Sequence, residues 1–410
     1  MKIAAIASIF LLALGVRAFL YYQNQPHFSD GQDVNLQIKL NSEPKISSNR
    51  QVLSANLGLN RLLIIASIFP QYHYQDNLKI SGKLKSKVLK NNKEMFFLYY
   101  PKIEKIKQNI ILGSAAKMRG KFIDLFNRVL PINYSSLLLG ITFGIKEKMT
   151  DNFLNNLRIT GVMHVIAASG MNVTLFGGFI TAVFSFFLKR QLALLLSIFG
   201  ILFYVVLAGF EPSIIRAAIM GILVFSSQIL GRQRLSAYSL IIALYFMILA
   251  SPETIFDIGF QLSFVATAGL LYIRPIFYSS ENVKRMLDTS LVGEDIATTI
   301  SAQVATLPIL IANFGIYSVW SIVVNTLVLW TVPILMIIGG VGGVFGLISD
   351  FLGKGIIFLS FPLLFYFEKI VNLFSGFGGL VTTENLPWQV VAGYYLILIS
   401  LIYTVRVYKK

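Results

Sequence analysis

Residues 191–209 read QLALLLSIFGILFYVVLAG, a run without a charged side chain. A helix of this length crosses a hydrocarbon layer of about 30 Å, and it satisfies its own backbone hydrogen bonds there. Similar runs recur along the 410 residues, of which 55% are hydrophobic and only 13% are charged. Soluble domains contain about 25% charged residues. The composition therefore predicts a polytopic α-helical membrane protein.

The apolar runs predict about ten transmembrane helices. The first, residues 1–22, is expected to be an N-terminal anchor rather than a cleaved signal peptide, because Arg17 interrupts any small-residue cleavage site. Segment 318–346 is expected to be kinked, since it contains Pro333 and several glycines. The spans after the anchor are predicted at 162–187, 191–209, 213–231, 235–250, 257–274, 293–313, 318–346, 353–375 and 389–406.

Basic residues give the orientation, because Lys and Arg concentrate in short cytoplasmic loops. If the spans alternate, the basic loops fall on one side, together with Lys2 and the C-terminus. We therefore expect a multi-pass protein of a bacterial cytoplasmic membrane, with residues 23–131 outside. The basic loops contain Lys189, Arg190, Arg232, Arg234, Arg274, Lys284, Arg285, Lys354, Arg406, Lys409 and Lys410.

Residues 23–131 differ from the rest in being richly charged and in alternating short strand-like runs with turns. About five short strands in fewer than 100 residues predict a small extracytoplasmic OB-like β-barrel; a β-sandwich is the alternative. The following segment, 132–160, is expected to lie along the membrane interface or to re-enter, and 161–410 forms the transmembrane domain. Strands are predicted at Val34–Leu40, Arg61–Ile68, Leu78–Lys85 and Met95–Lys102.

Lysines and aromatic residues interleave in the second half of this β domain. Basic grooves with aromatic platforms bind single-stranded nucleic acid without regard to sequence, and the net charge of +16 suits a polyanion or an anionic membrane surface. The alternative is a basic face resting on anionic lipid, with the aromatic rings in the core. The DNA-binding candidates are Lys79, Lys83, Lys85, Phe97 and Tyr99.

Polar side chains also interrupt the apolar stretches, where a polar group needs a partner or a function. Gly161–Val173 combines small residues with His164, Ser169 and Asn172. Small residues allow helices to approach closely or to break. Tight packing with internally bonded polar groups and a polar pathway are both compatible with this stretch.

A second polar stretch places Arg216 about one turn inside a span, after Glu211 and Pro212. Proline suits a helix start. The arginine could pair with Glu211 or Asp257, or it could contact phosphates through its planar fork.

Two further stretches carry polar residues into the membrane. Asp257 and Gln261 are four residues apart and share one helix face. Gln303 precedes the kink expected at Pro308, and Asn325 follows in the next span. Such residues line aqueous pathways, but they also hold ordinary helices together. All nine polar residues are pathway candidates: His164, Ser169, Asn172, Glu211, Arg216, Asp257, Gln261, Gln303 and Asn325.

These stretches, in this order, resemble the signatures of the ComEC competence protein family over about residues 130–345. An OB-like domain before this core is also the family's arrangement. The family's SHLLAISGLHV segment resembles His164–Val173, P-S-x-x-R-A resembles Pro212–Ala217, D-x-G-F-Q-L-S-F resembles Asp257–Phe264, and A-T-L-P before a Phe-Gly pair resembles Ala305–Pro308 with Phe314-Gly315. Asn172 replaces the histidine of G-L-H-V, which keeps hydrogen bonding and removes a titratable group.

The resemblance implies a channel that imports single-stranded DNA across the cytoplasmic membrane during natural transformation. It further implies an extracytoplasmic DNA receptor protein and a cytoplasmic helicase-like ATPase as partners, and it leaves room for a homo-oligomer. Many family members continue into a metallo-β-lactamase-like domain, whose metal motif this sequence does not contain. We therefore expect strand degradation, where needed, to come from a separately encoded nuclease.

The sequence offers no sign of catalysis, and neither cofactor nor metal is expected. It contains no cysteine and no P-loop, and its three histidines are far apart. Two other functional classes stay open. One is a secondary transporter of a small anionic solute, with Arg216 as the anchor and Asp257 as the coupling carboxylate. The other is a non-conducting scaffold that docks partners through the OB-like domain.

Overall fold

The fold is taken from a computed structural model, which describes residues 2–24, 28–40, 44–47, 50–57, 60–73, 76–88, 94–106, 110–145, 149–166, 170–231, 236–278, 285, 293–383 and 386–407. The chain forms two compact units, residues 1–122 and 123–410. The first unit is built around a β-sheet, and the second consists mainly of apolar helices.

The first unit begins with the apolar helix α1 (Lys2–Gln23) and continues into a seven-stranded sheet. The sheet order is β1-β5-β6-β4-β3-β2, and β7 also pairs with β5. The β4 and β6 strands run parallel, and the other pairs are antiparallel. The strands are β1 (Asp33–Lys39), β2 (Lys45–Ser47), β3 (Arg50–Leu57), β4 (Asn60–Ser67), β5 (Asn77–Val88), β6 (Glu94–Tyr99) and β7 (Lys102–Lys105).

Alternation of apolar and polar residues gives this sheet one buried face, as the period of two in a strand requires. The predicted strands correspond to β1, β4, β5 and β6 within a few residues. The last predicted strand ran on to Lys102, whereas β6 ends at Tyr99. Tyr100 has a φ of 47° and Pro101 follows it, which ends the ladder. The buried side chains include Leu53, Ala55, Leu62, Ile64, Leu78, Ile80, Leu84, Phe96 and Leu98.

The helix α2 (Ile110–Val129) leads from the first unit into the second. The second unit then continues with α3 (Ile132–Phe143), α4 (Asp151–Ile159), α5 (Met163–Ile166), α6 (Gly170–Ser185), α7 (Arg190–Ala208), α8 (Pro212–Ile229), α9 (Ser236–Ala250), a 3-10 turn (Pro252–Phe256), α10 (Ile258–Tyr272), α11 (Arg274–Phe277), α12 (Gly293–Phe314), α13 (Ser321–Val328), α14 (Thr331–Ile348), α15 (Asp350–Phe358), α16 (Phe361–Gly376) and α17 (Trp388–Val407). A two-stranded sheet pairs β8 (Ile316–Ser318) with β9 (Leu380–Thr382).

Within the described ranges, six helices are long and apolar enough to cross a membrane, or up to seven if a bent pair is one span. The ten predicted spans are therefore not confirmed. The shorter apolar helices include Phe10–Gln23 of α1, together with α3, α6 and α9. The six spans are Arg190–Ala208, Pro212–Ile229, Ile258–Phe277, Ile296–Phe314, Thr331–Ile348 and Trp388–Val405, and the bent pair is α15 with α16.

Two of the predicted spans are interrupted. Segment 318–346 divides into α13 and α14 at Leu329–Trp330, because Pro333 occupies the first turn of α14 and would not fit a helix interior. The segment predicted at 353–375 divides into α15 and α16, which bend by 41° next to Pro362. The α3 helix is buried from Tyr134 to Phe143, within the segment for which an interfacial or re-entrant course was predicted.

Candidate functional site: a polar junction between membrane helices

Arg216 lies on α8, the second of the candidate spans, and is only 7% exposed. Its Nη1 donates a hydrogen bond to Thr267 Oγ1 on α10. The guanidinium carbon lies 6.0 Å from the ring centroid of Phe264 on the same helix. A Cβ built on Gly170, the first residue of α6, would fall 2.6 Å from Nη2. We call Arg216, Thr267, Phe264 and Gly170 the arginine cluster.

The two carboxylates that the sequence offered to Arg216 form no ion pair with it within 4 Å. Asp257 is exposed and caps α10, where its Oδ1 accepts a hydrogen bond of 2.8 Å from the Phe260 amide. Glu211 is the N-cap residue of α8, and this residue is not without a partner. In the part of the chain that the structure describes, Arg216 Nε has no hydrogen-bond partner.

Gln261 also serves the start of α10, because its Nε2 donates a 2.9 Å hydrogen bond to the Ile255 carbonyl. Its Oε1 is buried and, among the described residues, has no donor. Buried polar atoms are usually satisfied. The α10 helix therefore carries an unsatisfied buried oxygen as well as Thr267, which accepts from the buried Arg216 guanidinium.

Three polar residues of α12 and α13 form a second group, the amide cluster. Gln303 Nε2 donates to Ser321 Oγ over 2.6 Å, and Asn325 Nδ2 donates to the same oxygen over 3.3 Å. Asn325 is 2% exposed, and its Oδ1 has no partner within the described ranges. A Cβ built on Gly161 would fall 2.7 Å from Ser321 Cβ. The chain just before α5 therefore packs directly against this cluster.

Asn172, in the first turn of α6, makes the third contact. Its Nδ2 donates a 2.8 Å hydrogen bond to the Ile141 carbonyl of α3, and its side chain also meets the Tyr204 hydroxyl of α7. Tyr204 in turn donates to the Thr142 carbonyl over 2.8 Å. The start of α6 is thus fixed to α3 and α7 by polar contacts that lipid cannot supply.

Segment Gly161–Asn172 connects these contacts. At one end Gly161 touches the amide cluster, and at the other Gly170 belongs to the arginine cluster. His164 is exposed, and its Nδ1 lies 3.2 Å from the Gly161 carbonyl. Ser169 falls outside the described residues. Residues of the first, second and fourth polar stretches therefore contact one another at Gly161 and Gly170. Of the third stretch, Phe264 lies beside Arg216, whereas Asp257 and Gln261 bond at the start of α10.

The β-sheet brings together three of its five candidate residues. Phe97 and Tyr99 alternate on β6 and stack with ring centroids 6.3 Å apart. Lys85, opposite Phe97 on β5, places its Nζ 5.5 Å from the centroid of Tyr99. We call Lys85, Phe97 and Tyr99 the aromatic–lysine patch. Phe96, and not these two rings, enters the buried core.

Lys79 and Lys83 have a different environment from that of Lys85. Lys79 lies opposite Glu104 of β7, and Lys83 lies opposite Asp33 of β1. Directly opposed residues in an antiparallel pair share a face, so acidic neighbours partly offset both lysines. The patch around Lys85 is thus the part of this surface best suited to an anion with a flat ring system.

Sequence reasoning missed Thr267 and Ser321, the two hydroxyl partners of the clusters. A signal for each was present. Ser321 precedes Asn325 by four residues, and Thr267 follows Phe264 by three, so each shares a helix face with a residue already singled out. Within the described ranges, no group of three or more His, Cys, Asp or Glu could hold a metal ion.

Comparison with known proteins gives two matches. The family model described as "Competence protein" matches residues 141–407. The chain is also 30% identical over 229 residues to ComE operon protein 3 of Bacillus subtilis (strain 168), an alignment that covers 55% of this chain and 28% of that protein. The chain thus spans little more than a quarter of that relative's length. No solved structure gives a significant match.

Proposed function

Because the chain belongs to the competence protein family, we propose that it is a membrane channel that imports single-stranded DNA across the cytoplasmic membrane during natural transformation. The observation that carries the proposal is the contact of Gly161 with the amide cluster and of Gly170 with the Arg216 guanidinium, among helices long enough to span a membrane. Buried polar groups at membrane depth are costly and usually functional. Partly unsatisfied groups such as Asn325 Oδ1 fit a pathway for a polar chain.

We further propose that the β-sheet of the first unit is an OB-like domain that binds the strand outside the membrane. Its order contains one parallel pair, β4 with β6, among antiparallel neighbours. The β1 and β2 strands stand at opposite ends of the sheet order, an order that suits a small barrel of short strands. The aromatic–lysine patch lies on its outer face. Stacking on such rings accepts any base.

The proposed function also requires partner proteins on both sides of the membrane. An extracytoplasmic receptor would deliver DNA to the barrel, and a cytoplasmic helicase-like ATPase would draw the strand inward. A separately encoded nuclease would remove the second strand, and the channel could assemble as a homo-oligomer. The chain itself acts as a conduit and not as an enzyme.

The first experiment deletes the gene in a host that takes up DNA and then restores it. Cells receive labelled duplex DNA, and surface-bound label is counted separately from strand protected against external nuclease. We expect deletion to leave surface binding intact and to abolish the protected strand, which restoration recovers. Unchanged protected DNA would contradict the channel, and transport of a small anionic solute would then be tested next.

A matched pair of arginine variants tests the pathway itself. Arg216→Ala removes the guanidinium of the arginine cluster, whereas Arg274→Ala removes one that pairs with Glu294 at 3.4 Å. Hydrogen bonds to charged groups contribute about 1.5–3 kcal/mol, so we expect Arg216→Ala to lower import by at least about tenfold at normal protein level. Arg274→Ala should import normally. Equal import by both variants would exclude Arg216 from the pathway and favour the non-conducting scaffold.

A further inference from the structure

The Arg216 guanidinium lies at the start of α6, where two sources of positive potential coincide. The first-turn amides of a helix have no partner within the helix, and the aligned peptide dipoles give this end about half a positive charge. Nη2 of Arg216 lies 2.6 Å from the Cβ position of Gly170, the first residue of α6. A cation placed at this end of a helix is unfavourable unless an anion accompanies it.

The described residues supply no such anion. Arg216 is 93% buried by its 7% exposure, yet neither Glu211 nor Asp257 forms an ion pair with it. Thr267 Oγ1 accepts a hydrogen bond from Nη1, and the Phe264 ring lies near the guanidinium carbon. These two contacts fix the plane of the guanidinium. Nη2 is directed toward α6, and Nε, on the same edge of the guanidinium, has no partner among the described groups. That edge carries two parallel N–H groups, the geometry that binds two oxygens of one phosphate.

Gly170 is what allows this approach. Any side chain at residue 170 would put a Cβ within 2.6 Å of Nη2 and 3.3 Å of the Ala217 Cβ, so the guanidinium would have to move away from the helix. We propose that the start of α6 and the Nε–Nη2 edge of Arg216 form a binding site for one phosphate-type oxyanion inside the membrane domain. Resting on the proposed function, its ligand is one phosphodiester group of the strand at a time.

The absence of cysteine from the sequence allows a direct measurement of the potential at this site. Met171→Cys introduces one thiol into the first turn of α6, at a side chain that is 40% exposed. We expect negatively charged sulfonatoethyl methanethiosulfonate to modify it about tenfold faster than the positively charged trimethylammonium reagent, after correction for their rates with a free thiol. Gly178→Cys, on the same helix with open space around it, is the matched control with a ratio near one.

Second substitutions and oligonucleotides assign the effect to Arg216. Adding Arg216→Gln to Met171→Cys should return the ratio to that of the control, and adding Gly170→Ala should lower it severalfold, since the guanidinium is displaced. Oligothymidylate should slow the anionic reagent, whereas the same oligomer with uncharged methylphosphonate links should not. Equal rates for the two reagents, no reaction with either, or equal protection by both oligomers would each overturn the site.

Import measured in cells separates this inference from the proposed function. Charge selectivity that depends on Arg216, together with normal DNA import by Arg216→Gln, would support the oxyanion site and overturn its DNA ligand. Loss of import in Arg216→Gln without any charge selectivity at Met171→Cys would support the conduit and overturn the oxyanion site. Each variant is compared at equal protein level in the membrane, so that a failure to fold is detected before either readout is scored.

Discussion

Asn172 shows at the residue scale what a single amide can do inside a membrane domain. It is 1% exposed and joins α6 to the backbone of α3 at Ile141. The hydrogen bond has no competitor in lipid, although the unfolded chain in a membrane also finds partners, so such bonds are worth about 0.6–2 kcal/mol. Since the family signature has a histidine here, hydrogen bonding, and not titration, is the property that this chain retains.

We therefore expect Asn172→Ala to lower the free energy of unfolding by about 1 kcal/mol. Thr174→Ala is the control, because Thr174 lies on the same helix, is exposed and donates a hydrogen bond to the Gly170 carbonyl of its own helix. Equilibrium unfolding of the full chain in mixed detergent micelles measures both. Equal stability of Asn172→Ala and the wild type would show that the bond to Ile141 has no energetic role.

The aromatic–lysine patch makes a second prediction at this scale. Tyr99→Leu should weaken binding of the full chain to oligothymidylate by about 1–3 kcal/mol, because one stacking platform is lost. Lys85→Ala should reduce the slope of log affinity against log salt by about one unit. Lys79→Ala should have less effect, since Glu104 opposes Lys79. Fluorescence anisotropy at several salt concentrations measures all three, and equal losses for the two lysine variants would contradict the patch.

Part of the site was predictable from spacing, and part was not. Arg216 was singled out because a charged residue inside an apolar run is conspicuous in sequence alone. Its partner was not found, because Glu211 and Asp257 are the neighbours that charge suggests, whereas Thr267 is set by how α8 packs on α10. Pairing between helices depends on their rotation and register, which the periodicity of one helix does not specify.

At the element scale, helix breaks next to prolines divide two predicted spans of the second unit into shorter helices. Pro333 and Pro362 occupy first turns, at α14 and α16, so each marks the start of a new helix. The sequence pattern singled out Pro333 as the site of a kink or break within 318–346, but it did not single out Pro362. Proline in a first turn removes no intrahelical hydrogen bond, whereas proline in a helix interior lowers helix stability by about 3 kcal/mol. This difference in stability favours a helix break before Pro333.

The pair α14–α15 depends on contact between two glycines. A Cβ on Gly353 would lie 2.8 Å from the Gly346 amide nitrogen and 3.1 Å from the Gly342 carbonyl oxygen. Both atoms belong to the backbone, so neither can turn aside as a flexible side chain can. We expect Gly353→Ala to force the helices apart and to cost about 1–3 kcal/mol of unfolding free energy.

Gly355→Ala is the matched control, because Gly355 lies on the same helix as Gly353. Among the described residues, a Cβ at Gly355 would meet nothing within 4 Å. Alanine is the better helix former by about 1 kcal/mol, so the control should be neutral or slightly stabilising. The detergent unfolding assay compares the two variants. A Gly353→Ala protein as stable as Gly355→Ala would mean that the helices separate at no cost and that the close approach is unimportant.

At the scale of the whole molecule, the two units differ in where their basic residues lie. Some basic residues of the second unit lie at helix ends, such as Lys189 and Arg190 at the start of α7, and Arg216 lies within α8. The β-sheet carries lysines along its strands, as Lys79, Lys83 and Lys85 do on β5. Loop lysines and arginines determine membrane orientation, whereas lysines on a sheet exert their effect on whatever approaches its surface.

This distinction predicts that the sheet lies outside the cytoplasmic membrane and the start of α7 inside. Lys102→Cys, whose native side chain is 79% exposed, should react with a membrane-impermeant maleimide in intact cells. Lys189→Cys, also exposed, should react only after permeabilisation. The wild-type chain contains no cysteine and provides the background. Labelling of Lys189→Cys in intact cells would show that the orientation is the opposite of the predicted one. The sheet would then face the cytoplasm, where it could not receive DNA from outside, and the proposed direction of import would fail with it.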